Sequence, residues 1–133
     1  MKQKAIGEIC LIRAIEYFLK KDYLVFIPIS ERGTADIIVD NGRNILKVQC
    51  KYTSWVDRYG YRKLKLLTTF GKKVNNRWQY KKYNNKDFHR LFICTDEDKK
   101  YLIPSKKILS EKNNNYLKPS ITLSPKYNTY LVD

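Results

Sequence analysis

Two short apolar runs on either side of an Asn-Gly pair constrain the fold more than any other feature of this chain. They lie between Thr34 and Lys51 and read TADIIVD and ILKVQCK. Strand-like runs separated by an Asn-Gly turn are typical of a β-hairpin. We therefore predict two paired strands, over Ala35–Asp40 and Asn44–Lys51.

Polar groups of this hairpin converge on one point. Side chains alternate between the two faces of a strand, so Gln49 and Lys51 share a face with Lys47, and pairing brings Asp36 alongside them. The opposite, core face is expected to contain Leu46, Val48 and Cys50. A carboxylate and a carbonyl oxygen can bind a divalent metal, and an ammonium group can bind a phosphate beside it. The backbone carbonyl of Cys50 is a further candidate ligand, because it lies between the two polar side chains.

The N-terminal segment is predicted to be a helix over Lys4–Lys20. Apolar residues recur there at helical spacing and predict a buried stripe, which consists of Ile9, Ile12, Ile15 and Leu19, widened by Leu11 and Phe18. Glu8 lies one turn before Leu11 and Ile12, at the edge of that stripe. It is therefore a candidate to bind metal directly or through water.

The remaining chain reads as further strands with loops between them. Strands are predicted over Leu24–Ile29, Leu64–Thr69, Phe88–Thr95 and Lys100–Ile103, and Ser105 is expected to cap a short helix that ends near Ser110. Residues 52–86 are expected to form loops or a hairpin excursion. The simplest arrangement is an α/β fold with a mixed sheet of about five strands flanked by helices. At 133 residues the chain is expected to be one domain, 1–133.

Positive charge is extreme and uneven. The formal net charge is +14, and nine Lys or Arg residues lie between Lys51 and Lys86 with Asp57 as the one acid. Aromatic residues interleave with these cations, a composition that favours binding to a nucleic acid. The best candidate DNA contacts are Arg58, Arg62, Lys63, Lys65, Arg77, Trp55 and Tyr59. Some of the other aromatics, Trp78 and Tyr80 above all, are expected in the core or in an oligomer interface.

Several classes of protein are not favoured. No apolar run is long enough for a transmembrane helix, no basic amphipathic helix suggests a membrane partner, and charged residues interrupt any signal-peptide pattern. The three cysteines are far apart in sequence and fit reduced core residues of an intracellular, cytoplasmic protein that is not secreted. His89 has no second histidine or other catalytic partner in view, so we expect a structural role for it.

The motif residues resemble a known group of nucleases. Gly7-Glu8 on the first helix, Asp36 early in the second strand and Lys51 at the end of the third resemble, in order and spacing, the PD-(D/E)XK nuclease superfamily. Ala35 stands where the pattern has proline, and Gln49 stands where it has Asp or Glu. The glutamine is similar to the PD-(D/Q)XK variant of the group I intron-encoded homing endonucleases, whose third strand resembles residues 48–53. Residues 91–93 and 101–104 look like their later strand pair.

This resemblance implies a restriction-endonuclease-like core and an Mg²⁺-dependent (Mn²⁺ possible), sequence-specific double-strand DNA endonuclease that acts as a homo-oligomer, a dimer or a tetramer. It implies catalytic roles for Glu8, Asp36, Gln49 and Lys51, with metal bound by Asp36, Gln49, Glu8 and the Cys50 carbonyl. Archaeal-type Holliday junction resolvases share the same core and are a competing interpretation. Two others stay open: a non-catalytic nucleic-acid-binding module, and a basic adaptor for an acidic protein.

Overall fold

The structure is a computed structural model that describes residues 3–30 and 32–133, with the side chains of Gln3, residues 68–73 and Trp78 outside the description. The predicted core or interface role of Trp78 therefore lies outside the described residues. So does Glu31, in the predicted loop that follows the first strand.

One α-helix and ten strands make up most of the described chain. Helix α1 spans Gln3–Lys20. The strands are β1 Leu24–Phe26, β2 Ile37–Asp40, β3 Ile45–Thr53, β4 Lys63–Lys65, β5 Leu67–Val74, β6 Arg77–Lys82, β7 Arg90–Thr95, β8 Lys100–Pro104, β9 Ser120–Thr122 and β10 Leu131–Val132. Two 3-10 helices span Ser105–Lys107 and Pro125–Tyr130.

A mixed sheet of six strands, one more than predicted, organises the fold in the order β1-β2-β3-β7-β8-β10. The β3–β7 pair is parallel and the other pairs are antiparallel. The predicted hairpin is β2–β3, in which Asp40 pairs with Ile45 across a loop of residues 41–44. Gly42 takes a φ of +90° in that loop, and its N–H donates to the Asp40 side chain across 2.8 Å. The turn is thus longer than a two-residue Asn-Gly turn.

Helix α1 covers one face of the sheet, with only part of the predicted stripe: Phe18 is buried, and Leu11 and Ile15 are partly buried against it, as predicted. Its buried residues are Cys10, Ala14 and Phe18, which pack against β2, β3 and β7. Ile12 is 61% exposed, and Ile9 and Leu19 are exposed as well, so the prediction that they are buried was wrong. The i, i+4, i+8 row of a small thiol, a methyl group and a phenyl ring lets the helix lie close to the sheet. Because apolar residues surround much of this helix, sequence periodicity did not single out that row.

The opposite face of the sheet is covered over β7, β8 and the second half of β3. A second core forms there from Leu91, Ile93, Tyr101 and Ile103 together with residues of the β4–β9 pair and the loops around it. The predicted terminal helix is a three-residue 3-10 turn, and Pro104 occupies its N-cap position instead of Ser105. Ser105 itself is buried. Among the described residues, no helix combines the length and the apolarity needed to span a membrane.

Candidate active site

Asp36 lies at the start of β2, opposite Gln49 on β3. Its backbone N–H donates across 2.9 Å to the carbonyl of Val48, the residue that pairs with Ile37 in the sheet. Its side-chain Oδ2 accepts two hydrogen bonds, from Gln49 Nε2 across 2.9 Å and from the Cys50 N–H across 2.7 Å. The carboxylate is therefore held in one orientation by the strand beside it.

Three oxygen atoms belong to residues that line one cleft beside the N-terminal end of β2. Asp36 Oδ1 and Gln49 Oε1 accept no hydrogen bond from the described side chains and backbone. Neither is a buried polar atom left without a partner, so both are accessible from the cleft. The N–H and C=O of a strand residue point to the same side, so the Cys50 carbonyl points where its N–H points, towards Asp36. Among the described side chains, its one hydrogen-bond donor is Gln49 Nε2, at 3.5 Å.

Electrostatics at Asp36 favour a positive ligand. Burial raises the pKa of this carboxyl above its ordinary value, although the Cys50 N–H and the charge of Lys51 both act to lower it. A carboxylate that is partly stripped of water binds a cation more strongly than an exposed one does. At Asp36 the effect of burial thus outweighs the opposing effects of one N–H donor and one nearby positive charge.

Helix α1 brings Glu8 to the same place. Glu8, Gly7 and Leu11 line an open cleft of about 360 Å³ together with Asp36, Gln49 and Cys50. Lys4 lines it too, one helical turn before Glu8. The structure therefore gathers three of the four predicted catalytic residues around one space. Lys4 escaped the sequence analysis, although its i, i+4 spacing from Glu8 places it on the same side of the helix.

Lys51 shares the sheet face of Gln49 but does not line this cleft. Its Nζ lies 5.4 Å from the centre of the Tyr83 ring, a cation–π distance. The Cys10 thiol donates to the Lys51 backbone carbonyl across 3.2 Å and ties α1 to β3. Tyr83, which is buried in the second core, thus supports the lysine from below, a contact that sequence reasoning did not anticipate.

The donor set fits a hard divalent cation. Carboxylate and carbonyl oxygens are the ligands that Mg²⁺ and Mn²⁺ prefer, and here they come from Asp36, Gln49, Cys50 and Glu8. The described residues contain no cluster of three His, Cys, Asp or Glu side chains suited to a metal. That fits a site in which one ligand is an amide and another a backbone carbonyl. It does not fit a zinc site.

Comparison with known proteins identifies the family. A model of the PD-(D/E)XK endonuclease family matches residues 1–124. This chain belongs to that family. A solved structure titled as that of a bacterial homing endonuclease, I-Ssp6803I, superimposes with a TM-score of 0.79 over 98% of this chain and 89% of that chain, at 21% identity. No curated protein matches the chain.

Membership settles the coarse features of fold and chemistry. The mixed sheet with α1 against it is a restriction-endonuclease-like fold, as predicted from the motif residues. The protein is a nuclease of an endonuclease family, which implies a DNA substrate. Nucleases of this family generally use divalent metal ions. The cleft beside Asp36 is where the chain offers oxygen ligands for one.

The basic segment of the endonuclease presents an aromatic platform next to β3. Trp55 is 45% exposed, and the Nζ atoms of Lys63 and Lys65 lie 5.0 and 5.8 Å from its ring centre. Arg58 lies 4.8 Å from the ring of the exposed Tyr59. An open cleft of about 520 Å³ is lined by Trp55, Arg58, Tyr59 and Lys63. Four predicted DNA contacts therefore share one surface, with Lys65 beside them.

The loop that carries this platform is preorganised. Asp57 Oδ1 accepts the N–H groups of Tyr59 and Tyr61, each across 2.9 Å, and Gly60 takes a φ of +87°. At its base the buried Thr53 hydroxyl donates to the Lys63 carbonyl across 2.6 Å. The loop is thus anchored two residues beyond Lys51 on β3. It presents Arg58 and Tyr59 at its tip.

Two predicted DNA contacts lie elsewhere. Arg62 forms a bidentate ion pair with Asp96, with Nη2 3.0 Å from Oδ2, and its side chain is only 17% exposed. Its guanidinium lowers the pKa of the Asp96 carboxyl. The Arg62 side chain is therefore engaged in an intramolecular ion pair. Its partner lies 34 residues away in the sequence, so the pairing could not be predicted from sequence. Arg77 is exposed beside the Asn75-Asn76 turn of the β5–β6 hairpin, and Tyr80 on the same hairpin is also exposed.

Proposed function

We propose that the protein is a metal-dependent, sequence-specific, double-strand DNA endonuclease of the homing type. Mg²⁺ is the proposed cofactor, with Mn²⁺ as a substitute. The proposal treats residues 1–133 as one nuclease domain with a DNA-binding insertion around 52–86, working as a homo-oligomer. The observation that supports it best is the Asp36 carboxylate, fixed by Gln49 and Cys50 and facing Glu8 across one cleft.

Each site residue has a role that follows from its chemistry. Asp36, Gln49 Oε1, the Cys50 carbonyl and Glu8 would hold the cation. A bound divalent ion supplies polarisation of the phosphoryl oxygen and a water with a lowered pKa. Lys51 stabilises the charge that develops on the scissile phosphate, because its ammonium lies on the same face as Gln49. The Cys10 and Tyr83 contacts hold the lysine's strand and side chain in place for that task.

DNA binding is assigned to the platform beside this site. Arg58, Lys63 and Lys65 provide phosphate-neutralising charge, and Trp55 and Tyr59 provide flat apolar surfaces for a groove or an unstacked base. Arg77 would add a contact from the tip of the neighbouring hairpin. Because the loop is rooted on β3, a duplex held on the platform lies close to the catalytic strand.

The decisive experiment is cleavage of plasmid DNA with Mg²⁺ or Mn²⁺ by the protein, by Asp36→Asn and by Lys51→Met. Matched controls are Asp133→Asn and Lys107→Met, which make the same changes at exposed residues away from the cleft. We expect each site variant to lose at least about 100-fold in rate, and each control to keep near-parental activity. Persistent cleavage by both site variants would show that the site assignment is wrong.

Substrate choice separates the competing functions. Incubation with a randomised duplex library and recovery of the cut molecules is expected to yield one long preferred sequence. A structure-specific resolvase would instead cut a four-way junction in preference to duplex regardless of sequence. A protein that binds DNA in all these forms, but cuts none of them with any divalent metal, would be a binding module.

A further inference from the structure

The sheet has an open half whose side chains are apolar. The face opposite α1 is covered over β7, β8 and the second half of β3, but not over β1, β2 and the start of β3. Leu24, Phe26 and Ile45 are 62%, 52% and 65% exposed on that half. Strand register places Ile38 between Phe26 and Lys47 on the same face. We call these four apolar residues, Leu24, Phe26, Ile38 and Ile45, the open sheet face.

The residue pattern of this face is not that of a solvent-exposed sheet surface. An antiparallel sheet that is solvated on one side normally alternates apolar residues inwards with polar residues outwards. Here β1 and β2 place apolar residues on both sides, because Val25 and Val39 face α1 while Leu24 and Phe26 face outwards. Beyond the end of β1 the chain has two more exposed apolar residues, Ile27 and Ile29. Contiguous exposed apolar residues of this kind mark an interaction surface.

The charge of the face indicates which partner it fits. By strand register Asp40 lies between Leu24 and Ile45 on this face, and Lys47 lies beside Ile38. Asp36 and Lys51 continue the same face with one further acid and one further base. It is therefore neutral in a chain whose net charge is +14. DNA selects cationic surfaces, and an acidic protein would find no excess of cations here. A second copy related by a two-fold axis fits, because it presents the same apolar residues and brings its acids to this chain's bases.

We infer that a second copy of this chain packs on the open sheet face in a two-fold, self-complementary interface. The inference rests on the homo-oligomeric part of the proposed function and locates its contact surface. Asp36 lies at the rim of this face, on the same side of the sheet as Ile38. Association would therefore set the distance between two active sites, as cutting both strands of a duplex requires.

The helix offers the obvious rival surface and so the matched control. Ile12 and Leu19 are 61% and 55% exposed on the outward side of α1, across the sheet from the open face. We would measure molecular mass by analytical ultracentrifugation, without DNA or metal, for the parent, Phe26→Lys, Ile45→Lys, Ile12→Lys and Leu19→Lys. Thermal unfolding of each variant checks that it is folded.

We expect the parent to associate and the two sheet-face variants to raise the self-dissociation constant by roughly 30-fold or more. The two helix variants should keep the parental constant. Unchanged association in Phe26→Lys and Ile45→Lys, or loss only in the helix variants, overturns the inference and leaves the nuclease proposal standing. A parent that stays a single chain at all concentrations overturns both the inference and the homo-oligomer proposal, while metal-dependent cleavage is scored separately.

A cross-linking test does not depend on destabilising the interface. A short bis-maleimide is expected to join two copies of Ile45→Cys at least ten times faster than two copies of Ile12→Cys. Cys10 and Cys94 are buried and Cys50 is half-buried, so the parent gives the background rate. Equal rates for the two variants would contradict the interface.

Discussion

Gln49 donates a hydrogen bond from its Nε2 to Asp36 Oδ2 across 2.9 Å. The same oxygen accepts the Cys50 N–H, so two donors orient the carboxylate and leave Oδ1 and the amide oxygen facing the cleft. A carboxylate at position 49 would lack the donor and would repel Asp36 when no metal is bound. The glutamine that departs from the family's Asp or Glu is thus a partner of Asp36 as well as a candidate ligand.

Gln49→Glu is expected to destabilise the metal-free protein and to strengthen its response to metal. The change removes a hydrogen bond and places two carboxyl groups in contact, which costs about 1–3 kcal/mol of unfolding free energy. A divalent cation would relieve that repulsion, so added Mg²⁺ or Mn²⁺ should raise Tm more than in the parent. Thermal unfolding with and without metal measures both effects. Loss of cleavage by this variant would suggest that the neutral amide is part of how the site works.

Gln49→Met is the matched control, because it has similar length but neither a donor nor a second charge. It should lose part of the metal-free stability and show a smaller metal response than the parent. A Gln49→Glu variant that melts no lower than the parent without metal would contradict the role given to this hydrogen bond.

Arg58 and Arg62 should respond oppositely in DNA binding. Arg58 is exposed at the loop tip, whereas Arg62 is paired with Asp96. Arg58→Ala should reduce the slope of log K against log salt concentration by about 0.9, one phosphate contact. Arg62→Ala should leave that slope unchanged and lower Tm instead. Binding titrations at several salt concentrations, with melting curves, measure the two quantities.

Asp96→Asn is the control for the ion pair and should lower Tm as Arg62→Ala does. Exchanging the two charges, with Arg62→Asp and Asp96→Arg together, should recover part of the loss. If Arg62→Ala reduced the slope of log K against log salt concentration, Arg62 would be a DNA contact after all.

The sequence predicted best what depends on neighbouring residues. The alternation in residues 45–51 and the nearby Asn-Gly pair predicted the hairpin and placed Gln49 opposite Asp36. Glu8 reached the cleft because helical spacing set its side of α1. The choice of Cys10, Ala14 and Phe18 over Ile9 and Ile12 depended on how closely the helix fits the sheet, which periodicity does not encode.

Long-range partners were beyond the sequence for a different reason. The Arg62–Asp96 pair spans the insertion and the β7–β8 turn, and nothing local distinguishes Arg62 from Arg58. The same holds for Tyr83. In the sequence it resembles the other aromatic residues of the basic segment, but in the structure it is buried and its ring contacts Lys51. Contacts of this kind are set by how the segments pack in three dimensions.

Thr53→Val should weaken DNA binding without affecting the metal site. The buried hydroxyl donates to the Lys63 carbonyl and accepts the Trp55 N–H across 3.2 Å, so valine removes both bonds at the base of the loop. We expect a loss of about 1–3 kcal/mol in stability and a weaker affinity for DNA, with the metal-induced rise in Tm unchanged. Thr53→Ser keeps the hydroxyl and should behave like the parent. A reduced metal response in Thr53→Val would show that the two sites are not separable.

His89 should make the protein less stable as pH falls below neutrality. Its Nδ1 accepts the Lys47 N–H across 2.8 Å, and partial burial with the charges of Lys47 and Arg90 lowers the pKa of the imidazole below its ordinary value of 6.5. The folded state then resists a proton that the unfolded state takes up. Stability is full above about pH 6.5 and falls as pH drops from there through the lower folded pKa.

His89→Asn tests this, because its side-chain oxygen can accept the same N–H without titrating. The parent should lose more Tm than the variant between pH 7.5 and 5.5, since other titrating groups are common to both. The chain has one histidine, so a single imidazole resonance reports its pKa by NMR. A measured value at or above 6.5, or identical pH profiles for the two proteins, would show that the neutral imidazole is not built into the fold.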